Sequence, residues 1–159
     1  MYVFPDDKPV IKDIHSIYVN IPNLIRYYQD EAGSGCIHFQ NDDTEGILFF
    51  TREALTNGFY KDAQGQVVDD DAVNKLSNAD PGLNFKIDIY KISEDQMAFW
   101  SSMQTAKAIY TNLSTEFTDL KKLLKKMTGE KLTGYIDVAI SNTSDQGRIF
   151  LVNGKFTGG

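Results

Sequence analysis

Cys36 and His38 stand two residues apart in the stretch SGCIHFQ, and that pair is the first place to look for chemistry. On an extended strand, residues i and i+2 share a face, so a thiol and an imidazole there could hold a metal ion if the fold supplied two more ligands. The chain has no other cysteine and one other histidine, His15. A hydrolytic triad needs a nucleophile, a base and an orienting group, and catalytic zinc needs three protein ligands. The expectation is therefore that Cys36, His38 and His15 fill local structure, with no catalytic residue and no metal site. Acidic stretches come next. Asn41-Asp42-Asp43-Thr44-Glu45 lacks the D-x-[DN]-x-[DN]-G order of a calcium loop and reads as a solvated turn. Asp69-Asp70-Asp71 reads as a helix start with acids near the positive end of the helix dipole. Neither G-x-G-x-x-G nor G-x-x-x-x-G-K-[ST] occurs, so Asn153-Gly154-Lys155 is a turn and not a phosphate loop, and no cofactor is expected.

Three further groups could bind rather than react. Lys121, Lys122, Lys125 and Lys126 alternate with leucines at helical spacing, which is the wet face of an amphipathic helix or a docking face for an acidic partner or an anionic lipid surface. Asn142-Thr143-Ser144-Asp145-Gln146-Gly147 fits the [DN]-x-S-x-x-G element of PilZ domains, which bind cyclic di-GMP. That similarity makes Asn142, Ser144 and Gly147 the ligand-binding residues of an alternative reading, a small-ligand receptor. Those domains also use an R-x-x-x-R arm, because guanidinium forks onto phosphate and stacks on guanine. Lys121 and Lys125 stand in the nearest upstream positions, and lysine does neither well. The aromatics Phe59, Tyr60, Tyr90, Phe99 and Trp100 read mostly as core by default; Tyr90 and Trp100 would mark a protein-docking patch if exposed together, since Trp and Tyr are enriched among interface anchors.

Bulk properties exclude several classes. The 159-residue chain carries a net charge of −6, the opposite of the basic face that displaces counterions from nucleic acid. A single cysteine cannot form an internal disulfide, which fits a reducing compartment. The opening MYVFPDDKPV has neither the basic start nor the apolar run of a signal peptide, and no run approaches the roughly 20 apolar residues of a membrane span. A cytoplasmic, soluble protein is expected.

The elements that must position these residues follow from apolar periodicity. Residues 1–16 form an N-terminal arm or edge strand. Ile17, Ile21, Leu24, Ile25 and Tyr28 make a helical stripe with Asn20 as cap, ended by Gly33 and Gly35. Strands are predicted at Cys36–Phe39, Ile47–Phe50, Leu55–Tyr60 and in LNFKIDIYK, where Leu83, Phe85, Ile87 and Ile89 alternate with polar neighbours. A short helix holds Ala72, Val73 and Leu76. Ser93-Glu94-Asp95-Gln96 has capping-box spacing and predicts a helix whose stripe is Met97, Trp100, Met103, Ala106, Tyr110 and Leu113. From Ser114 an amphipathic helix through Leu120, Leu123, Leu124 and Met127 leads to strands near 134–140 and 148–153, with Asn153-Gly154 as a tight turn.

The end of the chain replays its beginning. Setting Gly35 on Gly134 places Ile37 on Ile136, Phe39 on Val138, and Ile21, Leu24 and Ile25 on Leu120, Leu123 and Leu124. After a turn two residues longer in the second copy, Gly46 meets Gly147, Phe49 meets Phe150, Phe50 meets Leu151, and Gly58 meets Gly159. The second copy stops there, as a fragment of a longer protein would. A hairpin alone is marginal in water, so each copy brings its own helix.

Both copies resemble the PATAN-type domain: a helix, then T/S-G-x-I-x-[VF], a polar turn, G-x-[IL]-F-[FL], and G-K with small residues. The resemblance covers roughly 17–113 as a first α+β module and 114–159 as a second, partial helix–hairpin module packed on it. Arg52-Glu53 departs from it, standing where the second copy has Asn153-Gly154. That family belongs to bacterial response regulators and to proteins linked to pili and gliding. It implies a noncatalytic module that docks to other proteins, with no active-site residue to carry over. The expectation is an α+β fold, helices packed on antiparallel sheet, in a signalling or motility module. Its partners would be other proteins, a homodimer among them, met through Tyr90, Trp100, Lys121 and Lys125.

Overall fold

Asn20 begins the first helix, its side chain accepting a hydrogen bond from the Asn23 amide at 3.0 Å. The structure, a computed structural model, describes residues 4, 8–139 and 146–158. Among these residues the fold is α+β: four α-helices, a six-stranded antiparallel sheet and a three-stranded antiparallel sheet. The chain divides into two compact units, Met1–Gln104 and Thr105–Gly159. No helix among the described residues is long and apolar enough to cross a membrane.

In the first unit the elements run β1 (Ile11–His15), α1 (Ile21–Ala32), β2 (Ser34–Gln40), β3 (Glu45–Thr51), β4 (Leu55–Asp62), β5 (Gly65–Val68), α2 (Asp69–Ser77), β6 (Lys86–Lys91) and α3 (Glu94–Met103). The strands lie in the order β1-β6-β2-β3-β4-β5. Because side chains alternate across a strand, the unbroken apolar run Ile47-Leu48-Phe49-Phe50 is stable only where both faces are covered. Both are. Ile37, Phe39, Leu48, Phe50, Ile87 and Ile89 pack with Ile21 and Ile25 of α1 and Ala72 and Leu76 of α2. Cys36, Ile47, Phe49 and Phe59 are buried on the opposite face, which α3 approaches with Met97, Trp100 and Met103. Each such phenylalanine removed from water contributes about 1.5–3 kcal/mol. Buried polar groups are satisfied: Ser34 Oγ donates to the Ile92 carbonyl at 2.6 Å, and Ser16 Oγ accepts from the Phe85 amide at 2.8 Å.

The second unit holds α4 (Leu120–Gly129), β7 (Gly134–Ala139), β8 (Gln146–Val152) and β9 (Lys155–Gly158), the strands ordered β7-β8-β9. Asp119 caps α4 by accepting from the Lys122 amide at 3.1 Å. Asn153 and Gly154 both take positive φ, 50° and 76°, as a tight hairpin turn requires.

Three helix boundaries differ from the sequence expectation. α3 stops at Met103, so Ala106, Tyr110 and Leu113 do not extend its buried stripe, and Tyr110 and Leu113 are 40% and 48% exposed. α4 begins at Leu120 instead of near Ser114, and Ile17 precedes α1 in a short 3-10 turn, exposed. In each case the apolar spacing continues past the point where there is a core to receive it.

Candidate interaction surface

Cys36 and His38 do share a face of β2, and both are buried. His38 Nε2 lies 3.1 Å from Glu45 Oε1, and its ring lies against Phe4, which also stacks on Tyr90. No third ligand joins them: among the described residues no group of three or more His, Cys, Asp or Glu could hold a metal ion. Burial pushes the Cys36 thiol well above its ordinary range, so it holds no thiolate to attack or to coordinate. His15 lies apart, its Nδ1 3.3 Å from Asn84 Oδ1.

The acidic stretches are turn and cap. Asn41 Oδ1 accepts from the amides of Asp43 and Thr44 at 3.0 and 2.8 Å, closing the β2–β3 turn on itself. Asp69, Asp70 and Asp71 form the exposed first turn of α2. A shallow, open recess of ≈ 450 Å³ in the first unit is lined by Gly33, Ser34, Thr51, Arg52, Glu53 and Glu94. It contains neither a histidine nor a thiol.

Tyr90 and Trp100 are corrected by the structure. They are 9% and 7% exposed, not a shared surface patch. Tyr90 sits opposite Cys36 in the sheet, and Trp100 turns inward from α3 beside Met97 and Met103. The period that put them on a strand and a helix also put them on the covered faces.

Both units expose apolar side chains, and in the second they include positions that match the core of the first. The second unit's order α4-β7-β8-β9 follows α1-β2-β3-β4, and the strand registers coincide. Gly35 lies opposite Phe50 and Gly134 opposite Leu151; Phe39 lies opposite Gly46 and Val138 opposite Gly147. Each third strand slips one residue at the same step, between Phe49 and Phe50 and between Phe150 and Leu151. Burial does not coincide. Ile21 is 1% exposed and Leu120 40%; Ile37, Phe39 and Leu48 are fully buried, whereas Ile136, Val138 and Ile149 are half-buried.

The glycines give the reason. A methyl at Gly35 would strike the backbone carbonyl oxygen of Tyr90 in β6, and one at Gly46 would come within 2.5 Å of Leu76 in α2. At Gly134 and Gly147 a methyl meets nothing within 4 Å. Among the described residues of the second unit no strand pairs with the outer edge of β7 as β6 pairs with β2, and no helix meets Gly147 as α2 meets Gly46.

Further apolar side chains of the second unit are exposed. Ile109, Tyr110, Leu113 and Phe117 are 62%, 40%, 48% and 89% exposed, a feature hidden from the sequence by their near-helical spacing. Lys121 and Lys125 are exposed on α4 and pair with no acid among the described residues. Lys126 differs, donating to the Tyr110 hydroxyl at 2.8 Å, which with the nearby Glu130 holds its ammonium above the ordinary range. Asp137 and Arg148 pair on the other face of β7 and β8, with the Arg148 guanidinium 4.8 Å from the Tyr135 ring. Of the dinucleotide-motif residues, Asn142 and Ser144 lie outside the described residues, and Gly147 is exposed in β8.

Comparison with known proteins returned no matching family model, no matching curated protein and no matching solved structure.

Proposed function

We propose that this chain is a noncatalytic protein–protein interaction module, of the kind bacterial signalling and motility systems use to dock one protein on another. The observation that carries the reading is the set of exposed apolar side chains in the second unit, Ile109, Tyr110, Leu113, Phe117 and Leu120, close together in sequence. Exposed apolar surface concentrated in one region marks a binding face, whereas scattered apolar residues do not. The resemblance to PATAN-type domains supports the same reading. So does the burial of the thiol and the imidazole, which leaves them no access to a substrate.

In-cell photo-cross-linking tests it. A photoreactive amino acid replaces Phe117 or Lys121 in the full chain, with Tyr18, 81% exposed in the first unit, as control. Discrete protein adducts are expected at Phe117 and Lys121 and none at Tyr18. An absence of adducts at both second-unit positions would overturn the reading.

A further inference from the structure

We propose that the outer edge of β7, with the exposed start of α4, takes an acidic, extended segment of a partner protein as an added antiparallel strand. This rests on the interaction-module reading and names the partner's chemistry. The first unit supplies the template. There β6 lies antiparallel on the outer edge of β2, with Ile89 opposite Ile37 and Ile87 opposite Phe39. The residues of β7 at those register positions are Ile136 and Val138, and among the described residues β7 pairs with β8 alone.

An unpaired edge presents a row of backbone donors and acceptors that another strand can satisfy, and alternate side chains of that strand then select the partner. The occupant therefore carries two apolar residues spaced two apart, opposite Ile136 and Val138. They would complete the cover over Leu120, just as Ile87 and Ile89 complete the core around Ile21.

Charge selects the rest of the segment. Residues 105–159 hold eight basic and five acidic residues, a net of +3, whereas residues 1–104 hold eight basic and seventeen acidic, a net of −9. The basic excess is concentrated on α4, where Lys121 and Lys125 stand one position round the helix from Leu120 and Leu124. An acidic strand is attracted there. A second copy of this chain is the poorer occupant. Two β7 strands related by a two-fold axis through the sheet would set α4 beside α4, basic face against basic face.

The probe is a synthetic peptide of residues 84–92 (NFKIDIYKI) carrying Lys86→Glu and Lys91→Glu, added to the full chain and followed by fluorescence anisotropy and amide exchange. Binding is expected, with new protection at residues 134–139. A peptide that also carries Ile87→Pro and Ile89→Pro cannot complete the ladder and should bind at least about tenfold more weakly. K121E/K125E in the chain should weaken binding roughly fivefold, two exposed charge pairs at about 0.5 kcal/mol each.

Equal binding of the two peptides would overturn the added strand, and indifference to K121E/K125E would overturn the charge selection. A concentration-dependent dimer abolished by Val138→Pro would overturn the proposal by giving the edge to a second copy. Cross-links from Phe117 without peptide binding sink the strand and spare the interaction reading. Peptide binding without cross-links does the reverse.

Discussion

At the scale of single residues, position overrides chemical type. Cys36 is the one thiol, and it is fully enclosed by the β2–β3 and α3 side of the sheet, so the charged form it needs for reaction is excluded by desolvation. Ellman's reagent at pH 8 should count no thiol in the native protein and one in urea; a fast native reaction would show that the face opens. Asp62 illustrates the opposite case. Its carboxylate accepts from the Gln64 amide at 2.8 Å and lies 3.5 Å from the Lys75 ammonium, and these hold it below its ordinary value of 3.8. A depressed carboxylate contributes stability that is fully present above the unfolded value and lost as pH falls through the folded one. Asp62→Asn should therefore lower the urea midpoint at pH 6, and the gap to wild type should close as pH falls below the ordinary value of 3.8 and through the depressed folded one. A gap that widens on acidification would contradict the assignment.

At the scale of elements, what was legible in the sequence is what burial enforces. The α1 stripe, the alternation of Ile87 and Ile89, the Asn20 cap and the Asn153-Gly154 turn all fall where their types predict, because each has a core or a required φ behind it. β5 and β9 were not legible: each is four residues long, too short for alternation to declare itself. α3 was over-extended for the converse reason, since Ala106 and Tyr110 keep helical spacing with no core to meet. Of the candidate site residues, Lys121 and Lys125 were legible as an exposed face. Tyr90 and Trp100 follow the core reading and not the patch reading, because α3 and Phe4 lie on their side of the sheet, which sequence alone does not say.

The paired glycines turn this into a measurement. Gly35→Ala drives a methyl into the Tyr90 carbonyl of a neighbouring strand, where backbone cannot yield, and should cost about 3 kcal/mol or more. Gly134→Ala, at the same register position of the second unit, meets open space and should stay within about 0.5 kcal/mol of wild type. Equal losses in urea titrations would mean that something does stand beside β7.

At the scale of the whole molecule, two units that each contain a helix followed by three antiparallel strands end with unequal cores. The first unit covers both faces of its central strands β2 and β3; in the second, Met127 and Leu151 are the only buried apolar side chains among the described residues. Three strands under one helix can fold, but with little apolar burial to hold them, opening is cheap in free energy and frequent. Amide exchange on the full chain reads this directly, because protection tracks the opening free energy of each segment. Residues 35–39 are flanked by strands on both sides and buried above and below, so they should open only with the whole first unit. Residues 134–138 hold the matching positions with a partner on one side, and should exchange roughly a hundredfold faster or more, a difference of about 3 kcal/mol in opening. Raising salt should leave that ratio unchanged, since the deficit is one of apolar cover and not of charge. Equal protection of the two segments in the isolated chain would mean the second unit is already complete, and its edge then has no strand to gain.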